Sequence, residues 1–402
     1  MLLFGKRDGI MWLLFFKKDC EGIGMNEVMM KKERQANLEL LRIIAMLMVV
    51  TAHLTNHGGL VGFAKPGSAS YYTVWTLFGM AFTSITVYLL ISGYFLVDAK
   101  FSTWKVAKIG GQVFFYAFGI TVLFWSFGDV EHELKDMVFS LLPISSDFYW
   151  FISMYVGMYL LSPIMNRLVR ALTKRQLACA MALSFALVSV WPNIIYFSSA
   201  LNTAGGVSIS WFLTVYLFGA YLKLYYKPDG HFAGKFALAC IALLLIPASR
   251  FVIEGLLKTP LGKISILDDL MWGYSVFYSY SSILVSLAAV LLFIAFLNLE
   301  ISPGRLARAI NRVAGAAFGV YLIHDHLYLR ETLWERLNVV SLLDQWYLLP
   351  ACIGLTVLVY GSATAVELLR ARLFAPLDNN RRLREFFLRI DEKLKRIWRG
   401  EA

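Results

Sequence analysis

The sequence is poor in charge, cysteine and histidine, and each shortage excludes something. Charged residues make up 16% of its 402 positions, well below the roughly 25% of soluble domains, so a water-soluble globular fold is excluded. The four cysteines, Cys20, Cys179, Cys240 and Cys352, are far apart, and three lie in apolar runs, where cysteine acts as a small hydrophobe. That leaves no disulfide framework and no zinc-like spacing. Six histidines are too few for a histidine-rich membrane oxygenase or desaturase, although "HLTNH" and "HDH" look like ligand spacings, and no metal is expected. A secretory leader is not expected either: "MWLLFF" at 11–16 is too short to span and no small-residue cleavage site follows it. It reads either as an interfacial helix or as sequence upstream of a start at Met25 or Met29, and it is assigned no function.

What is present is hydrophobic residue, 58% of the chain, with a mean hydropathy of +0.62. A spanning helix needs about 20 mostly apolar residues. About ten such windows occur, near 38–55, 72–97, 106–127, 147–168, 176–192, 209–226, 234–252, 275–297, 313–333 and 346–369. No internal repeat or soluble domain interrupts them. Basic clusters precede the first window (Lys31, Lys32, Arg34) and then recur in every second loop: Lys100, Lys105 and Lys108; Arg167, Arg170, Lys174 and Arg175; Lys223, Lys227 and Lys235; Arg305, Arg308 and Arg312. The loops between are acidic, nearly uncharged or mixed. By the positive-inside rule both termini are cytoplasmic, which requires an even number of spans. The net charge of +11 is therefore loop charge and not a nucleic-acid footprint.

The expected fold class is all-α, a polytopic membrane protein of about ten transmembrane helices. It divides into an N-terminal segment (1–35), a transmembrane domain (36–370) and a basic amphipathic cytoplasmic tail (371–402). The tail, "RRLREFFLRIDEKLKRIWRG", interleaves apolar and basic residues, as a helix lying on an anionic leaflet does.

The first window carries two ionisable residues that do not belong in hydrocarbon, Arg42 and His53. Eleven residues turn a helix through about 1100°, so the two fall within roughly 20° of each other. They are separated by about 16 Å along the axis. Glu39, three residues before Arg42, shares the face and can pair with it. With the helix running outward, one stripe presents an anion-binding group near the cytoplasmic boundary and a candidate proton acceptor in the outer part of the membrane. The plainer reading is a snorkelling arginine and a capping histidine. Intramembrane ionisable groups are costly and usually face a cavity, and their shared facing favours function.

"ANLELLRIIAMLMVVTAHL" (36–54) resembles the first helix of the acyltransferase-3 family of integral membrane acyltransferases, whose hallmark is arginine, ten residues, then histidine. Further resemblances follow in order. They are "VYLLISGYFL" (87–96) to a Ser-Gly-aromatic segment and "YWFISMYVGMYLLSPIMNRLV" (149–169) to a Trp-aromatic and Ser-Pro helix. "RLAR" (305–308) matches an Arg-x-x-Arg loop motif, and "FGVYLIHDHL" (318–327) resembles a Tyr-Leu-Ile-His helix. The resemblance covers about 36–370. Glu39 stands where members often carry Asp, and no esterase-like domain follows the membrane part, which disfavours peptidoglycan as acceptor.

The resemblance implies transfer of an acyl group, usually acetyl from acetyl-CoA as co-substrate, to a hydroxyl or amine on an extracytoplasmic glycan or lipid-linked sugar. His53 is the expected general base. Arg305 and Arg308 offer forked donors for coenzyme A phosphates, and Arg42 meets the pyrophosphate or the pantetheine amides. Glu39, Ser92, Tyr321 and His324 are supporting residues, with Ser92 either a donor-channel wall or a packing contact and His324 either site support or structure. Asp325 is the nearest acid able to hold an imidazole in one tautomer, but its sequence neighbours point to different faces, so it and His326 rank behind His324. His57 shares the face of His53 approximately and reads more simply as an interfacial polar residue. The expected location is a bacterial plasma (inner) membrane, with membrane lipids as partners, no nucleic acid, and a homo-oligomer left open. The rival reading is a transporter or polysaccharide polymerase, which should show paired, broken helices in two halves.

Overall fold

The computed structural model describes residues 35–128, 130–146, 148–194, 203–260 and 277–399. The "MWLLFF" segment, both alternative starts and Cys20 lie outside the described residues, among which no β-strand occurs. We number the longer helices α1 (Ala36–Asn56), α2 (Ala69–Ala81), α3 (Thr83–Leu96), α4 (Thr103–Phe127), α5 (Leu134–Leu141), α6 (Trp150–Ala171), α7 (Lys174–Phe185), α8 (Ile209–Tyr225), α9 (Phe232–Leu257), α10 (Ile283–Leu297), α11 (Arg305–His324), α12 (Leu327–Arg336), α13 (Leu348–Leu373) and α14 (Arg381–Arg399).

Among the described residues, seven helical stretches are long and apolar enough to cross a membrane: α1, α2 with α3, α4, α7 extended to Asn193, α9, α11 and α13. The windows at 147–168, 209–226 and 275–297 hold α6, α8 and α10. At 1.5 Å per residue the last two, of 17 and 15 residues, reach only about 26 and 22 Å, short of a hydrocarbon core of about 30 Å. α2 and α3 act as one unit because Phe82 stays in the right-handed helical region and its N–H bonds Gly79 O. The backbone tightens there without stopping.

Local chemistry starts several helices. Ser68, Ser208 and Ser282 each accept a hydrogen bond from a first-turn N–H, and Thr173 forms a capping box with Gln176, which satisfies donors that have no intrahelical partner. Pro163 and Pro247 sit inside α6 and α9, as neighbouring helices permit in a bundle.

Packing separates a centre from a rim. The spanning window of α2–α3 is 61% buried and that of α7 only 11%, so the first is interior and the second peripheral. Rim helices expose Leu123 on α4, Leu244 and Val252 on α9, and Val357 and Leu369 on α13, an apolar surface suited to lipid. Inside, α3 and α8 cross closely through two glycines. A Cβ on Gly93 would lie 2.6 Å from Tyr216 O, and one on Gly219 2.5 Å from Leu90 O, so small residues set this contact. A polar node ties three further helices. The Glu367 carboxylate of α13 accepts from Tyr116 Oη of α4 at 2.7 Å and from two nitrogens of Arg370 at 2.9 and 2.7 Å, and it packs on Gly319 of α11.

The C-terminal helix α14 is docked, not loose. Asp391 accepts from Thr103 N at 2.8 Å and Thr103 Oγ1 at 2.7 Å, capping α4, while Phe387 meets Trp104 with ring centroids 5.3 Å apart. Phe386, Leu394 and Ile397 remain exposed among basic neighbours.

Candidate active site

The polar stripe foreseen on α1 exists. Arg42, Met46 and Val49 line a cavity of about 300 Å³, and His53 follows at the next helical step, so the spacing of four, three and four keeps all four on one side. Arg42 is paired with Glu39, whose side chain is 6% exposed. Tyr88 Oη donates to Arg42 O at 3.0 Å and holds α3 against this turn.

The cavity continues between α1, α3, α4, α6 and α11. Its further lining includes Tyr88, Ser92, Tyr155, Phe318 and Tyr321. Ser92 is therefore a cavity wall, with its hydroxyl donating back to Tyr88 O at 2.8 Å, and the adjacent Gly93 makes the close packing.

Where α1 ends, α11 ends beside it. Tyr149 Oη donates to Leu322 O at 2.7 Å and fixes the last turn of α11. His53 Nδ1 lies 3.0 Å from His324 Nε2, and His324 Nδ1 lies 2.6 Å from Val320 O. A carbonyl only accepts, so for neutral rings the proton of His324 is on Nδ1 and its Nε2 is an acceptor. His53 then donates from Nδ1, which leaves Nε2 of His53 as an unprotonated lone pair. The tautomer follows from the bonding network.

Asp325 joins this pair although sequence position ranked it behind. Its Oδ1 lies 3.6 Å from His53 Nδ1, and Arg330 Nε of α12 lies 3.7 Å from the same oxygen. The helix stops at His324, and Asp325 departs from helical geometry at φ −98°, ψ 10°. The facing of its sequence neighbours therefore says nothing about its own. His57 also arrives here, its ring centroid 5.0 Å from that of His53. His326 does not: its Nε2 faces Ala117 O at 3.0 Å, and its Nδ1 accepts from Tyr328 N at 3.3 Å, a structural role.

The two arginines of the Arg-x-x-Arg motif, both in the first turn of α11, part company. Arg308 lines a second, more polar cavity of about 690 Å³ with Gln35, Asn37, Tyr94, Glu300 and Asn311, whereas Arg305 is not in its lining. Both arginines are exposed. On α1 this cavity is lined by 35–37 and the first by 42–49; on α11 the corresponding stretches are 307–311 and 314–321. The two cavities thus succeed one another along the same helix pair and lead towards His53.

Fold and site together define a class, a multi-pass helical membrane protein with a partly buried ionisable stripe and a cavity along it. The sequence profile described as an acyltransferase domain matches residues 35–365, and the chain belongs to this acyltransferase-3 family. It is a membrane acyltransferase. No curated protein and no solved structure matches the chain.

Proposed function

We propose that the protein moves an acetyl group from cytoplasmic acetyl-CoA to a hydroxyl of an extracytoplasmic glycan or lipid-linked sugar, in a bacterial plasma membrane with both termini inside. The observation that carries this reading is the bonding chain Val320–His324–His53, which leaves a lone pair on His53 Nε2 one helical turn beyond the cavity that starts at Arg42. A base with a defined free nitrogen at the end of a transmembrane cavity suits transfer from one side to the other.

The two volumes suggest how the donor divides. A cavity of about 300 Å³ is at the low end for ligand pockets and suits a slender arm; the bulky nucleotide then occupies the 690 Å³ cavity. There Arg308 pairs with phosphate, and Glu300 in the same lining repels the anion towards Arg308. Arg42 stands at the entrance of the narrow part, held by Glu39.

The chemistry balances without a further reactant. His53 Nε2 takes the acceptor hydroxyl proton as the oxygen attacks the thioester carbonyl carbon. The carbon–sulfur bond then breaks, and the imidazolium returns its proton to the leaving thiolate. While His53 is cationic, the Asp325 carboxylate faces the proton on Nδ1 and stabilises it. Burial strengthens that attraction relative to water.

Mass spectrometry of surface glycans from wild-type, deletion and His53→Ala cells tests the reading. Acyl groups should disappear in both mutants, with His53→Ala protein still inserted at normal abundance. Intact acylation with an export or polymerisation defect would overturn it in favour of a transporter or polymerase.

A further inference from the structure

One histidine at this end of the bundle has no task in the reaction above. His57 is exposed, and its ring makes no hydrogen bond among the described residues. It nevertheless converges with two groups that do have tasks: one ligand atom from each of His53, His57 and Asp325 lies within 4.8 Å of the others. Two neutral imidazoles and a carboxylate are a ligand set for a zinc-class divalent ion, with water in the fourth position. In a tetrahedral site with bonds of about 2.0–2.2 Å the ligand atoms stand roughly 3.4 Å apart. The His53 Nδ1–Asp325 Oδ1 separation of 3.6 Å is already close to that, and the exposed His57 ring supplies the remaining movement by side-chain rotation.

We infer that His53, His57 and Asp325 form a binding site for a zinc-class divalent cation, and that the bound ion inhibits the enzyme. Inhibition rests on the function proposed above; binding does not. It follows whichever nitrogen of His53 the ion takes. At Nε2 the metal occupies the lone pair directly. At Nδ1 it displaces the bond to His324, and the ring proton moves to Nε2. Either way no base remains. Hard cations such as magnesium prefer oxygen ligands and bind poorly to imidazole. Arg330 opposes the ion, because its guanidinium lies 3.7 Å from the Asp325 oxygen and adds a positive charge beside the site.

The test is calorimetric titration of the purified full-length protein with zinc chloride and no acceptor. We expect one zinc per chain and no magnesium binding. His57→Ala should weaken zinc at least about tenfold, since losing even an outer-shell partner of a metal ligand costs about that much, and Arg330→Gln should tighten it. The opposed signs exclude general unfolding as the cause, and thermal melts of both variants check it. Zinc bound equally well by wild type and His57→Ala, or not at all, overturns the site. In the second arm, acetyl transfer by wild type should fall as zinc is added and recover with a chelator, and His57→Ala should resist the same zinc concentration. Zinc binding with undiminished transfer overturns the inhibition. Absence of transfer without zinc refutes the proposed function instead and leaves the binding result standing.

Discussion

Replacing His324 separates its role as a hydrogen-bonding link from its role as a ring. His324 accepts the Nδ1 proton of His53 at 3.0 Å and anchors itself to Val320 O at 2.6 Å. It is 1% exposed, so no water replaces it freely. In His324→Leu the Nδ1–H of His53 loses its hydrogen-bond acceptor, since Asp325 Oδ1 at 3.6 Å lies beyond bonding distance, and leaving such a donor unsatisfied costs about 1–3 kcal/mol. At about 1.4 kcal/mol per tenfold, kcat should fall roughly 5- to 150-fold as His53 loses its preference for the productive tautomer. The cavity proposed for the donor arm does not include this residue, so the KM for acetyl-CoA should not move. His324→Gln keeps an acceptor for His53 and a donor for Val320, and it should recover most of the loss, to within about fivefold of wild type by the same arithmetic. Transfer of labelled acetyl from acetyl-CoA, measured with membranes carrying the native acceptor, reads both variants. Full activity in His324→Leu would refute the tautomer argument. Equal loss in Leu and Gln would show that the ring itself is required, as for a proton carrier.

Arg308→Ala should weaken coenzyme A binding about tenfold or more, the value of a charge-assisted contact of 1.5–3 kcal/mol. Arg305→Ala should have a smaller effect, since only Arg308 lines the wide cavity; calorimetry with coenzyme A ranks them, and an equal or inverted ranking removes the nucleotide from that cavity. Gly219→Val should lower the melting temperature in detergent, because its Cβ meets the Leu90 carbonyl at 2.5 Å and overpacking costs about 1–3 kcal/mol; an unchanged melt would mean the α3–α8 contact is looser than described. Glu367→Ala should cost about 3–5 kcal/mol by stranding Arg370, whose side chain is 11% exposed, as removal of one buried partner does, and thermal unfolding would show it. Asp391→Ala removes the cap on Thr103, so limited proteolysis should release α14 while the melt of the bundle stays put.

Much of this molecule is legible without coordinates because a bilayer imposes strong rules on sequence. All of the apolar windows contain helices, and among the described residues seven helical stretches reach membrane length and apolarity. The stripe from Arg42 to His53 was also readable, since helical phase is arithmetic once a single unbroken helix joins the two residues. The pairing of Glu39 with Arg42 followed from the same phase. The division between Arg305 and Arg308 was not readable. Both satisfy one motif, and only the arrangement of α1 beside α11 decides which of them meets a cavity.

The chain by itself determined the helices, the phase of α1 and the family, because hydrophobic length, helical period and ordered motifs are all local in sequence. Tertiary structure alone decided that His324 selects the tautomer of His53, and that Asp325, Arg330 and His57 join them. Those residues lie 271 positions or more from His53, apart from His57, which is four away. Asp325 turns inward only because the helix ends one residue earlier. Hydrogen-bond direction and charge proximity depend on distances of 3–4 Å across helix ends, and no periodicity along one helix encodes them.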